Sequence, residues 1–81
     1  MNIDLLIKMA NEIGMFFNGA TADAAARDVA THLKRYWDPR MRRQIIGYLD
    51  ERHGAGLSDV ARAAVEQLRA ESAAGTPAPP P

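Results

Sequence analysis

Eighty-one residues permit one small domain, and a chain of that size buries only a marginal core. Ten basic and ten acidic residues cancel, which speaks against the strongly basic balance of a general nucleic-acid binder. Cysteine is absent, which excludes disulfides, thiolate metal sites and thiol nucleophiles and suits a reducing, cytoplasmic setting.

The spacing predicts a first helix from Ile3 to about Phe17, capped by Asn2. Ile3, Leu6, Ala10, Ile13 and Phe17 recur at helical intervals and define its inner face. Leu5, Ile7, Met9 and Phe16 fall elsewhere around the wheel, so the helix is apolar over more than one face. Two readings fit: the central helix of a small bundle, or a helix whose second apolar face meets another protein. Asp4, Lys8, Asn11 and Glu12 interrupt the run, which is too short and too polar for a membrane span. It also lacks the positive leader and cleavage pattern of a signal peptide. Gly14 weakens the helix and allows close contact.

Asn18-Gly19 reads as the helix end. A second helix follows, capped by Thr21 or Asp23, through Ala24, Ala25, Ala26, Val29, Ala30 and Leu33. Its alanines favour helix and leave a thin side-chain layer against which a neighbour can pack closely. His32 lies four residues from both Asp28 and Tyr36, so it can meet either.

The second helix should end near Arg35 or Tyr36. Asp38 precedes a proline and is therefore held in extended conformation. Pro39 suits the first position of a helix, with Asp38 as its N-cap. Between them Trp37 stands at a corner. The stretch from His32 to Arg43 carries Lys34, Arg35, Arg40, Arg42 and Arg43 against Asp38, a net +4, so the rest of the chain carries −4. The third helix presents Met41, Ile45 and Leu49 along one stripe, with Ile46 and Tyr48 beside it. It should stop near Arg52 or His53, with Gly54 or Gly56 left-handed beyond. Ser58 caps a fourth helix with Asp59 in its first turn and Val60, Ala61, Ala64, Val65 and Leu68 inside. At Ser72 the composition shifts to Ala, Gly, Thr and Pro. Residues 72–81 are expected to form a loose Pro-rich tail after a helical domain of residues 1–71. The fold class is all-α, a bundle of three to four short helices.

No catalytic, cofactor-binding or metal-binding set emerges. His32 and His53 are far apart and lack metal-ligand spacing. Ser58 reads as a cap, and Gly54-Ala55-Gly56 follows a helix instead of a strand, unlike a phosphate loop. The corner is different in kind. Trp, Tyr and Arg dominate binding hot spots, and here they occur together. A solvated charged face is the bland interpretation. The sharper one makes His32, Arg35, Tyr36, Trp37, Arg40, Met41 and Arg43 partner-binding residues, with Asp38 and Pro39 as the structural cap. A nucleic-acid-binding helical module using the same arginines is the alternative, opposed by the −4 elsewhere.

Two segments carry a family resemblance. One is Ile3-Asp4-Leu5-Leu6-Ile7-Lys8-Met9-Ala10-Asn11-Glu12-Ile13-Gly14-Met15-Phe16-Phe17; the other is His32-Leu33-Lys34-Arg35-Tyr36-Trp37-Asp38-Pro39-Arg40-Met41-Arg42. In order and spacing they resemble the delta subunits of NAD-dependent formate dehydrogenases, over roughly residues 2 to 68. The resemblance implies a small accessory subunit of a cytoplasmic complex. That complex's large catalytic subunit carries a bis-pterin molybdenum or tungsten cofactor and iron–sulfur clusters, and other subunits handle FMN and NAD. It implies a role in assembly, cofactor loading or stability, with no catalytic residue and no cofactor held by this chain. The expected reading is a non-catalytic subunit whose Trp37 corner and flanking arginines are presented to the large subunit.

Overall fold

The computed structural model describes residues 2–17 and 21–75, with side chains placed up to residue 71. Four helices make up the fold: α1 (Ile3–Phe16), α2 (Ala22–Tyr36), α3 (Pro39–Arg52) and α4 (Asp59–Gly75). No strand occurs among the described residues. The all-α expectation is met, and each helix starts where its sequence signals place it. Asn2 accepts a hydrogen bond from the Asp4 N–H at 2.8 Å. Thr21, not Asp23, caps α2 by accepting from the Ala24 N–H at 3.0 Å. The Ser58 hydroxyl accepts from the Ala61 N–H at 3.2 Å. Each bond satisfies a donor that the first helical turn leaves without a partner.

The most extensive helix–helix interface joins α2 and α4. Ala25, Ala26, Val29, Ala30 and Leu33 of α2 are buried, as are Ala61, Ala64, Val65 and Leu68 of α4. Methyl groups on both sides let the two backbones approach, and Leu33, Val29 and Val65 fill the space between. The C-terminal ends of these helices lie together, tied by Lys34 to Glu71 at 2.6 Å. Arg69 reaches Asp50 at 2.7 Å and ties α4 to α3. Both pairs are half exposed and add little to stability.

Helix α1 touches all three other helices. Leu6, Ala10 and Gly14 are buried; Ile3, Ile7, Met9, Ile13 and Phe17 pack against the core at its margin. The central-helix reading therefore describes one side of α1. The other side stays uncovered, with Leu5, Met15 and Phe16 exposed. Gly14 faces the start of α4, where an added methyl would meet Ser58, Val60 and Ala61 at ordinary van der Waals distances.

On α3, Ile45 and Leu49 are buried, with Met41 and Ile46 packed beside them. The α3–α4 turn is held in a left-handed path: His53 has φ 57°, Gly54 φ 73° and Gly56 φ 90°. Sequence signals offered Gly54 or Gly56; both positions use the glycine's freedom, and His53 joins them without it. Leu57 then drops into the core, a position that the helical periodicity had not marked because it lies between two helices.

The composition change at Ser72 does not end α4, which continues to Gly75. Alanine-rich sequence sustains a helix. Residues 76–81 of the expected tail, and the expected helix end at Asn18-Gly19, lie outside the described residues. No described helix is long and apolar enough to cross a membrane.

Candidate partner-docking surface

The α2–α3 corner is built largely as the sequence predicts. Helix α2 stops at Tyr36 and the Trp37 N–H closes the last turn on the Leu33 carbonyl at 3.0 Å. Trp37 and Asp38 are extended, and Pro39 opens α3. The Asp38 carboxylate accepts from the Arg40 N–H at 2.7 Å. These cap roles of Asp38 and Pro39 follow from the fixed φ of proline and the donors left at a helix start.

The indole, however, points inward. Trp37 is only 5% exposed and belongs to the core with Leu6, Leu33 and Ile45. The expectation that the indole is presented at the bend is therefore corrected. The physical reason is periodicity: Val29, Leu33 and Trp37 follow one another at four-residue steps. The ring thus continues the buried stripe of α2 beyond the helix end.

The arginine cluster also divides. Arg42 turns into the corner, where its guanidinium donates to the Lys34 carbonyl at 3.0 Å, the Leu33 carbonyl at 3.3 Å and the Trp37 carbonyl. It neutralises the negative end of α2, where the last carbonyls have no helical partner. Lys34 is engaged by Glu71. Arg35, Arg40 and Arg43 remain exposed to solvent. This division leaves the nucleic-acid alternative without support, since two of the five cations are committed inside the chain.

Sequence reasoning missed a second clamp. The Asn11 side-chain amide donates to the Gly56 carbonyl at 2.9 Å and accepts from the Ser58 N–H at 2.8 Å. One residue of α1 thus satisfies both polarities of the α3–α4 turn. Tyr48 adds a hydroxyl bond to the Ala55 carbonyl at 2.6 Å. A polar residue inside an apolar helical run was the available signal for Asn11.

What faces outward near the corner is apolar and aromatic. The His32 ring packs against Tyr36, with centroids 4.7 Å apart, and against Phe17 at 5.8 Å. Of the two pairings open to His32, ring packing on Tyr36 is formed. A groove runs between α1, the end of α2 and the start of α3. Met9, Ile13 and Phe16 line one side, and His32, Tyr36 and Met41 the other. An edge of Trp37 reaches it, and Glu12 supplies its one carboxylate. Phe16 is 85% exposed and Tyr36 71%. Water is thus in contact with two large rings that the chain itself does not cover.

The surface therefore assembles His32, Tyr36 and Met41 from the sequence-predicted set, with exposed Arg35 and Arg40 adjacent in sequence to Tyr36 and Met41. Arg43 lies instead in a second groove between α2, α3 and α4, with Lys34, Arg42 and Glu71 over Pro39, Ile46 and Leu68. Phe16 and Met9 were read as part of a second apolar face of α1, with contact to another protein as one of its two readings. Among the described residues, no group of three His, Asp or Glu side chains is arranged to hold a metal ion.

The family model of the NADH-dependent formate dehydrogenase delta subunit, FdsD, matches residues 5–65. No curated protein and no solved structure matches the chain.

Proposed function

The chain belongs to the NADH-dependent formate dehydrogenase delta subunit family, and on that premise we propose that it is a non-catalytic accessory subunit of the complex. In this reading it docks on the large catalytic subunit. There it supports assembly, loading of the bis-pterin molybdenum or tungsten cofactor, or stability. Iron–sulfur clusters, FMN and NAD are held elsewhere in the complex, and the assembly works in the cytoplasm. The helical domain of residues 1–71 makes the contact, with His32, Arg35, Tyr36, Arg40, Met41 and Arg43 as partner-facing residues. Trp37 acts through the shape of the corner.

The observation that supports docking is the uncovered apolar side of α1 beside the exposed Tyr36 ring. An apolar patch of that kind on a small domain is typical of a protein–protein contact. The test is to produce the complex with and without this chain and to measure metal and pterin content, subunit yield and formate-dependent NAD reduction. The expected result is co-purification of the tagged chain and a lower cofactor content or yield without it. Full cofactor content and yield in its absence, together with no co-purification, would end this reading.

A further inference from the structure

We infer that the second groove, between the end of α2, the start of α3 and the end of α4, receives an acidic segment of another subunit, with an apolar side chain set between its carboxylates. The inference rests on the accessory-subunit reading and adds a contact that shares no lining residue with the groove around Phe16 and Tyr36.

The groove is built from two helix faces and the end of a third helix. Pro39, Arg42, Arg43 and Ile46 stand at three- and four-residue intervals and share one side of α3; Leu68 and Glu71 stand three apart on α4. Pro39 is exposed and Ile46 half-buried, so apolar surface stays in contact with water between the helices. From Pro39 to Ile46 the face runs about 10 Å at 1.5 Å per residue. The contact it offers is therefore short, one apolar side chain and its immediate neighbours.

The charges of the lining do not balance. Lys34, Arg42 and Arg43 stand against a single carboxylate, Glu71. Glu71 is held by Lys34 at 2.6 Å. Arg42 donates to backbone carbonyls, which bear partial charge only, so no carboxylate of the groove is left to balance it. Arg43 is exposed and makes no hydrogen bond or ion pair with any described residue. Two guanidiniums thus line one apolar surface without a carboxylate between them. A carboxylate matches the planar fork of a guanidinium, and the pair strengthens where an apolar neighbour excludes water. The groove around Phe16 and Tyr36 has the opposite character, since it contains Glu12 and no Lys or Arg. An acidic segment is directed to the second groove and away from the first.

Other occupants match less of the lining. Residues 76–81, which follow α4 in sequence, consist of Thr, Ala and Pro and bring no carboxylate side chain. A second copy would offer its uncovered α1 face, where Lys8 stands between Asp4 and Glu12 at four-residue steps and sets a cation against the guanidiniums. The phosphate backbone of a nucleic acid would meet the arginines but leave Pro39, Ile46 and Leu68 without an apolar partner.

The test uses the intact formate dehydrogenase complex carrying Arg43→Lys, which keeps the charge and places a primary amine in the groove. A water-soluble carbodiimide joins amines to carboxylates in ion-pair contact, and mass spectrometry identifies the joined peptides. The expected product links position 43 to an Asp or Glu of another subunit, with an apolar residue close beside it in that segment. Arg43→Glu should lower retention of the chain in the complex by about tenfold. Retention of the unmodified chain should fall as salt is raised. Position 43 is exposed, and circular dichroism of both purified variants checks their folding. Full retention of Arg43→Glu, a link from position 43 only to this chain or to a second copy, no link from a chain that still co-purifies, or release of the chain by nuclease would each overturn the inference. Those outcomes leave membership of the complex intact. Absence of the unmodified chain from the complex would remove the accessory-subunit reading itself.

Discussion

Trp37 and Arg42 show how residue types that suggest recognition can be consumed by the fold. The indole lies in the core and the guanidinium lies on the carbonyls that end α2. Trp37→Ala should therefore cost about 3–5 kcal/mol of folding stability, as large-to-small core changes do. Urea denaturation of the isolated chain checks this, and a loss near zero would contradict the burial. Arg42→Ala removes charge-assisted bonds to the carbonyls at the end of α2 and should cost about 1.5–3 kcal/mol. The measurement is again the denaturation midpoint, and Arg42→Lys should recover only part of the loss because an ammonium lacks the planar fork. Asp38 and Pro39 were legible from sequence because capping is local: the residue before a proline and the donor one turn in lie within four positions. Arg42 was not legible, because its acceptors sit on the preceding helix and depend on the corner angle.

At the level of the helices, the alanine content of α2 and α4 finds its use in their close contact. Both buried stripes were readable from three- and four-residue spacing. Helix α3 contains a glycine whose place is less expected. An added Cβ at Gly47 would meet nothing within 4 Å. Gly47→Ala should therefore raise stability by roughly 0.5–1 kcal/mol, by reducing the freedom of the unfolded chain without a clash. Thermal unfolding followed by circular dichroism reads this, and a fall in the midpoint would show that the position is packed more tightly than the geometry indicates. The α3–α4 turn depends on an element remote in sequence, since Asn11 of α1 holds Gly56 and Ser58. The turn's glycines announced a change of direction, while the residue that fastens it could be found only once α1 had been placed beside it.

For the whole molecule, the residues that fill the core and the large side chains left in water are different ones. Buried Trp37 and exposed Phe16 are the extremes. Phe16→Ser should change the stability of the isolated chain by no more than about 0.5 kcal/mol, as for most surface substitutions. It should nevertheless reduce recovery of the chain with the formate dehydrogenase complex. Denaturation of the free variant and quantitative co-purification of the complex check the two halves. A small domain with a marginal core gains stability from any partner that binds only its folded form. In the docking proposed above, the uncovered side of α1 is where that gain would arise.

From the sequence alone come the all-α class, the helix starts at Asn2, at Thr21 or Asp23, at Asp38 and at Ser58, the buried stripes, and the family likeness. The class, the helix starts and the stripes rest on interactions within a few residues or on periodicity along one helix; the likeness rests on two segments, residues 3–17 and 32–42, that resemble the family. Tertiary structure alone decided which way the corner's side chains turn. It placed Arg42 across the end of α2 and Asn11 against the far turn, and it gave Trp37, at the end of the Val29–Leu33 stripe, a core to enter. It also left Phe16 and Tyr36 in water. The reason is geometric: an aromatic or a cation at a bend can face either way, and only the neighbouring helices determine whether there is a core to fill or a carbonyl to meet.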